Sequence, residues 1–237
     1  APNAKGGKGD LIANDPNALN DTDPTYAEQV GQMNHYWGGQ RMSGGAFYFG
    51  VVMLVFFILG LLFVKDVLRW PFLVLSILVL FLASNQMNAI NDFFIHQFPM
   101  YNKFRDSKML LVLWQVMVPT MGLLFLDRLV RNEGLLGTKK YWYGALGGLV
   151  FIALLLVLSP SLSGNFMTTE ELKQFADATK QAKDVSQTSF YQGMRQALID
   201  TRINIYKADM QRSLFLVLLA IGVVILFLRT KLNRMVI

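Results

Sequence analysis

The sequence predicts an all-α fold: a polytopic membrane protein with five transmembrane helices and an outer helical hairpin inserted before the last of them. Three observations carry this. Apolar residues make up 53% of the 237 positions and charged residues 16%, against about 25% charged in a soluble domain. Five stretches are apolar and long enough to cross a bilayer, which takes about 17–25 residues. Nine of the 22 basic residues crowd into the three short connections that follow the first, third and fifth stretches, and such crowding marks the cytoplasmic side. The net charge of +6 therefore reads as a topology signal, not as a nucleic-acid footprint.

The elements follow in order. Positions 1–43 form an outer segment that reads as a loop, because Pro2, Pro16 and Pro24 stand among many Gly, Asn and Asp. Within it, Lys5-Gly6-Gly7-Lys8-Gly9 lacks the spacing of a phosphate-binding loop. Asp21-Thr22-Asp23 has the form of a metal-binding Asp-x-Asp, a pattern that also arises by chance in Asn/Asp-rich loops. The first span, 44–64, carries no charge, and the second, 70–86, is short. Ile90, Phe93, Phe94 and Phe98 share one helical face, predicting a short amphipathic helix over 89–98 at the outer interface, which Pro99 ends.

The third span, 109–126, contains Gln115 and Pro119, read as an interhelical hydrogen bond and a kink. In the fourth, 141–159, Gly144, Gly147 and Gly148 are read as sites of close helix packing. Trp70, Trp114, Tyr141, Trp142 and Tyr143 stand mostly at segment ends, as aromatic belts do. These spans make 44–159 one four-helix region.

The outer insertion, 160–210, is polar and helical. Thr168 and Glu171 have capping-box spacing. Leu172, Phe175, Ala176 and Ala182 form a weak apolar stripe, and a second helix starting near Asp184 carries another through Phe190, Met194, Ala197, Thr201, Ile205 and Ala208. Nothing breaks that helix before the fifth span, 214–228, so a single helix of roughly 67 Å is predicted over 185–229. Positions 211–237 hold this span and a basic cytoplasmic end. The N-terminus is expected outside, yet none of the five apolar stretches looks like a signal peptide. With an initial Ala and an open apolar end at Arg234-Met235-Val236-Ile237, the chain is expected to be an internal piece of a longer membrane protein.

Candidate chemistry is sparse. The chain has no cysteine, which excludes disulfides, thiol redox chemistry and Cys-based zinc sites. His35 and His96 lie 61 positions apart, unlike a helical metal pair. No metal and no cofactor is expected. Lys103, Arg105 and Lys108 form a basic cluster on the outer side, against the topological bias. It reads either as a site for a lipid-linked phosphate or as snorkelling side chains. Tyr36, Trp37, Gln40 and Arg41 read either as stacking and hydrogen-bonding contacts to a sugar or as an aromatic belt with a turn. Asp92 and His96 share a helix face and read as a solvated pair in preference to an acid–base pair. Without an Arg-rich sensor, a row of membrane carboxylates or a filter motif, a channel or proton pump is disfavoured.

Two stretches carry a family resemblance. Tyr36-Trp37-Gly38-Gly39-Gln40, followed by Ser43-Gly44-Gly45-Ala46-Phe47-Tyr48-Phe49-Gly50, resembles the opening of a central membrane helix in YfhO-type bacterial membrane proteins, those of the Bacteroidetes lineage above all. Pro99-Met100-Tyr101-Asn102-Lys103-Phe104-Arg105 is similar to their loop before the next helix, and Pro2-Asn3-Ala4-Lys5-Gly6-Gly7 resembles the end of their preceding outer loop. One departure is Gly45, where that pattern has a proline. The family resembles C-type glycosyltransferases, which take a sugar from a polyprenyl-phosphate carrier on the outer face of the cytoplasmic membrane. The resemblance implies a catalytic carboxylate in an outer loop upstream of Ala1. It also makes Lys103 and Arg105 phosphate contacts, and Tyr36, Trp37 and Gln40 sugar or loop contacts.

Two functions follow. The first is part of a lipid-linked sugar transferase, with membrane lipids and a polyprenyl-phosphate-sugar donor as partners. The second is a non-catalytic accessory subunit whose apolar stripes over 161–210 need a partner in a larger membrane complex.

Overall fold

A computed structural model describes residues 11–15, 17–35, 37, 49–83, 88–99, 101–103, 107–131, 135 and 139–229. Every regular element among them is helical. The helices are α1 (Pro24–Gly31), α2 (Val51–Phe63), α3 (Arg69–Ala83), α4 (Asn88–Gln97), α5 (Leu111–Arg131), α6 (Lys139–Leu158), α7 (Thr169–Gln181) and α8 (Val185–Arg229), with short 3-10 turns between them. The described residues divide into two compact units, one drawn from Ala1–Ala46 and Ile152–Leu214, the other from Phe47–Phe151 and Phe215–Ile237. Helices α6 and α8 contribute to both.

Among the described residues three helices are long and apolar enough to cross a membrane: Leu111–Arg131, Lys140–Leu158 and Val185–Leu228. The first two expected spans are represented by shorter apolar helices, Val51–Phe63 and Arg69–Ala83. Gly50, at φ +76°, and Val64, in extended conformation, bound α2. Asp66 opens α3 by accepting a hydrogen bond from the Leu68 amide at 2.9 Å.

In the second unit α2 lies against α5, and glycine sets the approach. A Cβ on Gly60 would lie 2.9 Å from Met121 Cγ and 3.0 Å from Met121 O, while one on Gly122 would meet Met53 and Phe56 at 3.4–3.5 Å. Small residues let helix backbones come this close. The close-packing role read for Gly144, Gly147 and Gly148 is therefore corrected: a Cβ at any of the three would meet nothing within 4 Å. Trp142 is also corrected, from belt to core. Its ring stacks on Phe63 at 4.0 Å between centroids and neighbours Phe125 at 6.1 Å. Trp70, Tyr141 and Tyr143 are exposed. Helix α5 runs on through Pro119; Gln115 lies on its exposed side, and Thr120 Oγ1 donates to Val116 O at 2.7 Å.

The connections α2–α3 and α5–α6 are tied together. Val64 forms an antiparallel bridge with Leu135, and Arg128 Nη2 stands 3.8 Å from Asp66 Oδ2. The basic positions beyond Arg229, Lys231 and Arg234 among them, lie outside the described residues.

Within 11–35, part of the stretch read as loop, the first unit carries regular structure. Ile12–Asn14 forms a 3-10 turn, Leu11 bridges to Asn34, and α1 follows an Asp23 cap whose Oδ1 accepts from the Thr25 amide at 2.8 Å. Proline at the first helical position suits this start. Of the residues that read as breakers, Asp23 and Pro24 start a helix and Asp15 accepts from the Asn17 amide in a turn. Ile12, Ala18 and Val30 bury against Met167, Phe175, Leu198 and Ile205, and each fully buried aliphatic side chain contributes about 1.5–3 kcal/mol. Tyr26 closes the same contact, its hydroxyl seated where Gly193 of α8 has no side chain and its ring 5.4 Å from that of Phe190.

Candidate functional site

The expected capping box forms: Thr168 Oγ1 accepts from the Glu171 amide at 3.1 Å, and Glu171 Oε2 accepts from the Thr168 amide at 2.8 Å. Glu171 has a second bond set that its spacing did not announce. Arg202, fully buried on α8, donates from Nη2 to Glu171 Oε1 at 2.7 Å and from Nη1 to Glu171 Oε2 at 2.8 Å. The same guanidinium reaches Phe166 O at 2.9 Å and Asn34 O at 2.7 Å. Beside it, Thr22 and Thr201 share a hydroxyl–hydroxyl bond of 2.8 Å. Arg202 thus joins the N-terminal segment, the turn before α7, and α8.

Burial alone would push the Glu171 carboxyl up. The hydrogen bonds from Arg202 and from the Thr168 amide, with the charge of Arg202, outweigh it and hold the group below the usual carboxylate range. Both oxygens of this ionised carboxylate are occupied, so it anchors structure and is not placed to take a proton from a substrate. Asp23 is also held low, by the Thr25 amide that it caps; its carboxylate serves the start of α1.

Sequence reasoning passed over Arg202, although a signal exists. It lies four positions after Leu198 and three before Ile205, which puts a charge on the buried face of α8. A charge there needs a partner.

Of the sugar or loop contacts, Trp37 is described. Its ring lies 5.1 Å from that of Phe166, which in turn meets Tyr206 edge-on at 5.5 Å. Tyr206 donates to Leu156 O at 3.2 Å. Tyr36, Gln40 and Arg41 lie outside the described residues. His35 is buried, with Nε2 3.7 Å from Asp15 Oδ2.

The basic cluster follows α4. A helix, Asn88–Gln97, stands where the short amphipathic one is expected, with Phe93 and Phe98 exposed and Phe94 half-buried. Phe94 lies 5.4 Å from Phe98 and 5.7 Å from Tyr101 by ring centroids, and Tyr101 is buried. These contacts hold the 3-10 turn Tyr101–Lys103, on which Lys103 is exposed. Lys108 belongs to the 3-10 turn Ser107–Leu110, which packs on α3. Arg105 lies outside the described residues. Asp92 and His96 are both exposed on α4. The arrangement presents a cation beside an exposed aromatic helix face, suited to an anionic head group at an apolar boundary.

No protein-family model matches the chain, no curated protein matches it, and no solved structure matches it.

Proposed function

We propose that this chain is part of a YfhO-type, glycosyltransferase-like membrane protein that handles a polyprenyl-phosphate-linked sugar on the outer face of a bacterial cytoplasmic membrane. Five spans cross the bilayer, with α2 and α3 as the first two. The N-terminus, the 88–110 segment and a hairpin of α7 with the start of α8 lie outside. Lys103, Arg105 and Lys108 neutralise the carrier phosphate as it departs, Tyr36, Trp37, Gln40 and Arg41 bound the sugar side, and a carboxylate outside this chain activates the acceptor.

The observation that carries this reading is the exposed Lys103 beside the aromatic face of α4, on a turn held by Phe94 and Tyr101. Its sidedness is supported twice. The two basic connections are bonded to each other through Val64–Leu135 and Asp66–Arg128, as a shared side requires. The two polar regions assigned to the opposite side fold into one unit around Arg202.

The accessory reading drew on apolar stripes without a partner. Ile12, Ala18 and Val30 of the same chain pack in one cluster with Phe175 and Ile205, beside Leu172, Met194 and Ala197, which leaves less apolar surface for a partner and favours the transferase reading. Its test is Arg105→Ala in the full-length protein, assayed for transfer from a polyprenyl-phosphate sugar. Loss of transfer in a folded protein is expected, and undiminished transfer removes the role given to Arg105.

A further inference from the structure

The α2–α3 connection borders an open cleft of about 630 Å³ lined by Val64, Lys65, Asp66, Val67, Arg69 and Trp70. Two of its three charged side chains are cations. The third, Asp66, is engaged: Oδ1 accepts from the Leu68 amide and Oδ2 faces Arg128 at 3.8 Å. With Arg128 counted, the local balance is two positive charges. The Arg69 guanidinium carbon stands 5.2 Å from the centroid of the Trp70 ring, which orients the group. Arg69 Nε and Arg128 Nε are both buried without a hydrogen-bond partner. Among the described residues no carboxylate pairs with Arg69, so its charge is left to an anion from outside the protein. Exposed Val67, Leu68 and Trp70 flank the cleft, as groups at an acyl–headgroup boundary do.

We propose that this cleft binds a phosphate group, with the planar fork of Arg69 taking its oxygens and Lys65 adding a point charge. The apolar rim favours the head group of an anionic lipid as the carrier of that phosphate over a free ion. This site is separate from Lys103, Arg105 and Lys108 and does not rest on the transferase reading.

The test titrates the full chain with phosphatidylglycerol, phosphatidylcholine and inorganic phosphate, reading retained lipid by native mass spectrometry and phosphate by the shift in unfolding temperature. The lipid site predicts preferential retention of phosphatidylglycerol. Lys65→Gln with Arg69→Gln should weaken it about thirty-fold, or roughly five-fold per basic residue. Lys65→Arg alone should keep most of it, and Lys173→Gln, at an exposed position of α7, should leave it unchanged. A phosphate-induced shift that the Gln pair abolishes, with lipid retention equal for both lipids, assigns the same phosphate chemistry to a free ion. Lipid retention and phosphate shift both indifferent to the Gln pair overturn the site. Should the Gln pair fail to fold, Lys65→Gln alone, at an exposed position, carries the test through its five-fold effect.

Discussion

Arg202 grips both carboxylate oxygens of Glu171, at 2.7 and 2.8 Å, across 31 positions of sequence. Neither residue is a surface charge: Arg202 is fully buried, and the Glu171 side chain is 12% exposed. Because Arg202 also holds Asn34 O and Phe166 O, this one guanidinium fixes where the N-terminal segment meets α7 and α8.

Glu171→Ala is expected to destabilise the first unit by roughly 3–5 kcal/mol, because it leaves a buried guanidinium uncompensated. Replacing both residues, with Glu171→Leu and Arg202→Met, should cost less than the sum of the two single changes, since no charge is then stranded. Denaturant unfolding of the four proteins in detergent checks this.

The same pair predicts acid sensitivity. The folded-state pKa of Glu171 lies below its unfolded value, so the unfolded chain binds the proton more readily. The stabilisation is complete above the unfolded value of about 4.3 and is lost as pH falls through the lower folded value. Hydrogen exchange in α1 and α7 should therefore rise on acidification below that range. In Glu171→Gln this step should disappear, leaving exchange high at neutral pH.

Gly60→Ala should disturb the α2–α5 contact at a cost of about 1–3 kcal/mol, the usual range for overpacking, because the new Cβ meets Met121 Cγ and O at 2.9 and 3.0 Å. Gly147→Ala meets open space and should be neutral or stabilising by about 1 kcal/mol from helix propensity. Thermal unfolding of the two variants distinguishes the glycine that packs from the glycine that does not.

What was legible in the sequence follows from local pattern. The Thr168–Glu171 capping box, the continuous helix from Val185 to Arg229 and the short helix ending before Pro99 each depend on neighbours within a few positions, and each forms. The misreadings all depend on distant partners. A segment rich in Pro, Asn and Asp reads as loop until Ile12 and Val30 are seen against Leu198. Three glycines in α6 read as a packing face, yet Gly60 and Gly122 meet the neighbouring helix instead. Trp142 reads as a belt residue by its place at a segment end, and Phe63, nearly 80 positions earlier, makes it core. Of the candidate site, Lys103 was legible as a basic position after an aromatic helix, and the support of its turn by Phe94 and Tyr101 was not.

Sidedness is where the functional reading is most exposed, because a lipid-linked donor on the outer face meets Lys103 only if that residue lies opposite the two basic connections. The chain has no native cysteine, so single replacements report cleanly. Glu28→Cys, Glu170→Cys and Lys103→Cys stand on one predicted side, and Lys65→Cys and Lys140→Cys on the other; all five positions are exposed. Labelling of intact bacterial cells with a membrane-impermeant maleimide should modify the first three at once and the last two only after permeabilisation. Labelling of Lys103→Cys in step with Lys65→Cys and Lys140→Cys would contradict the reading.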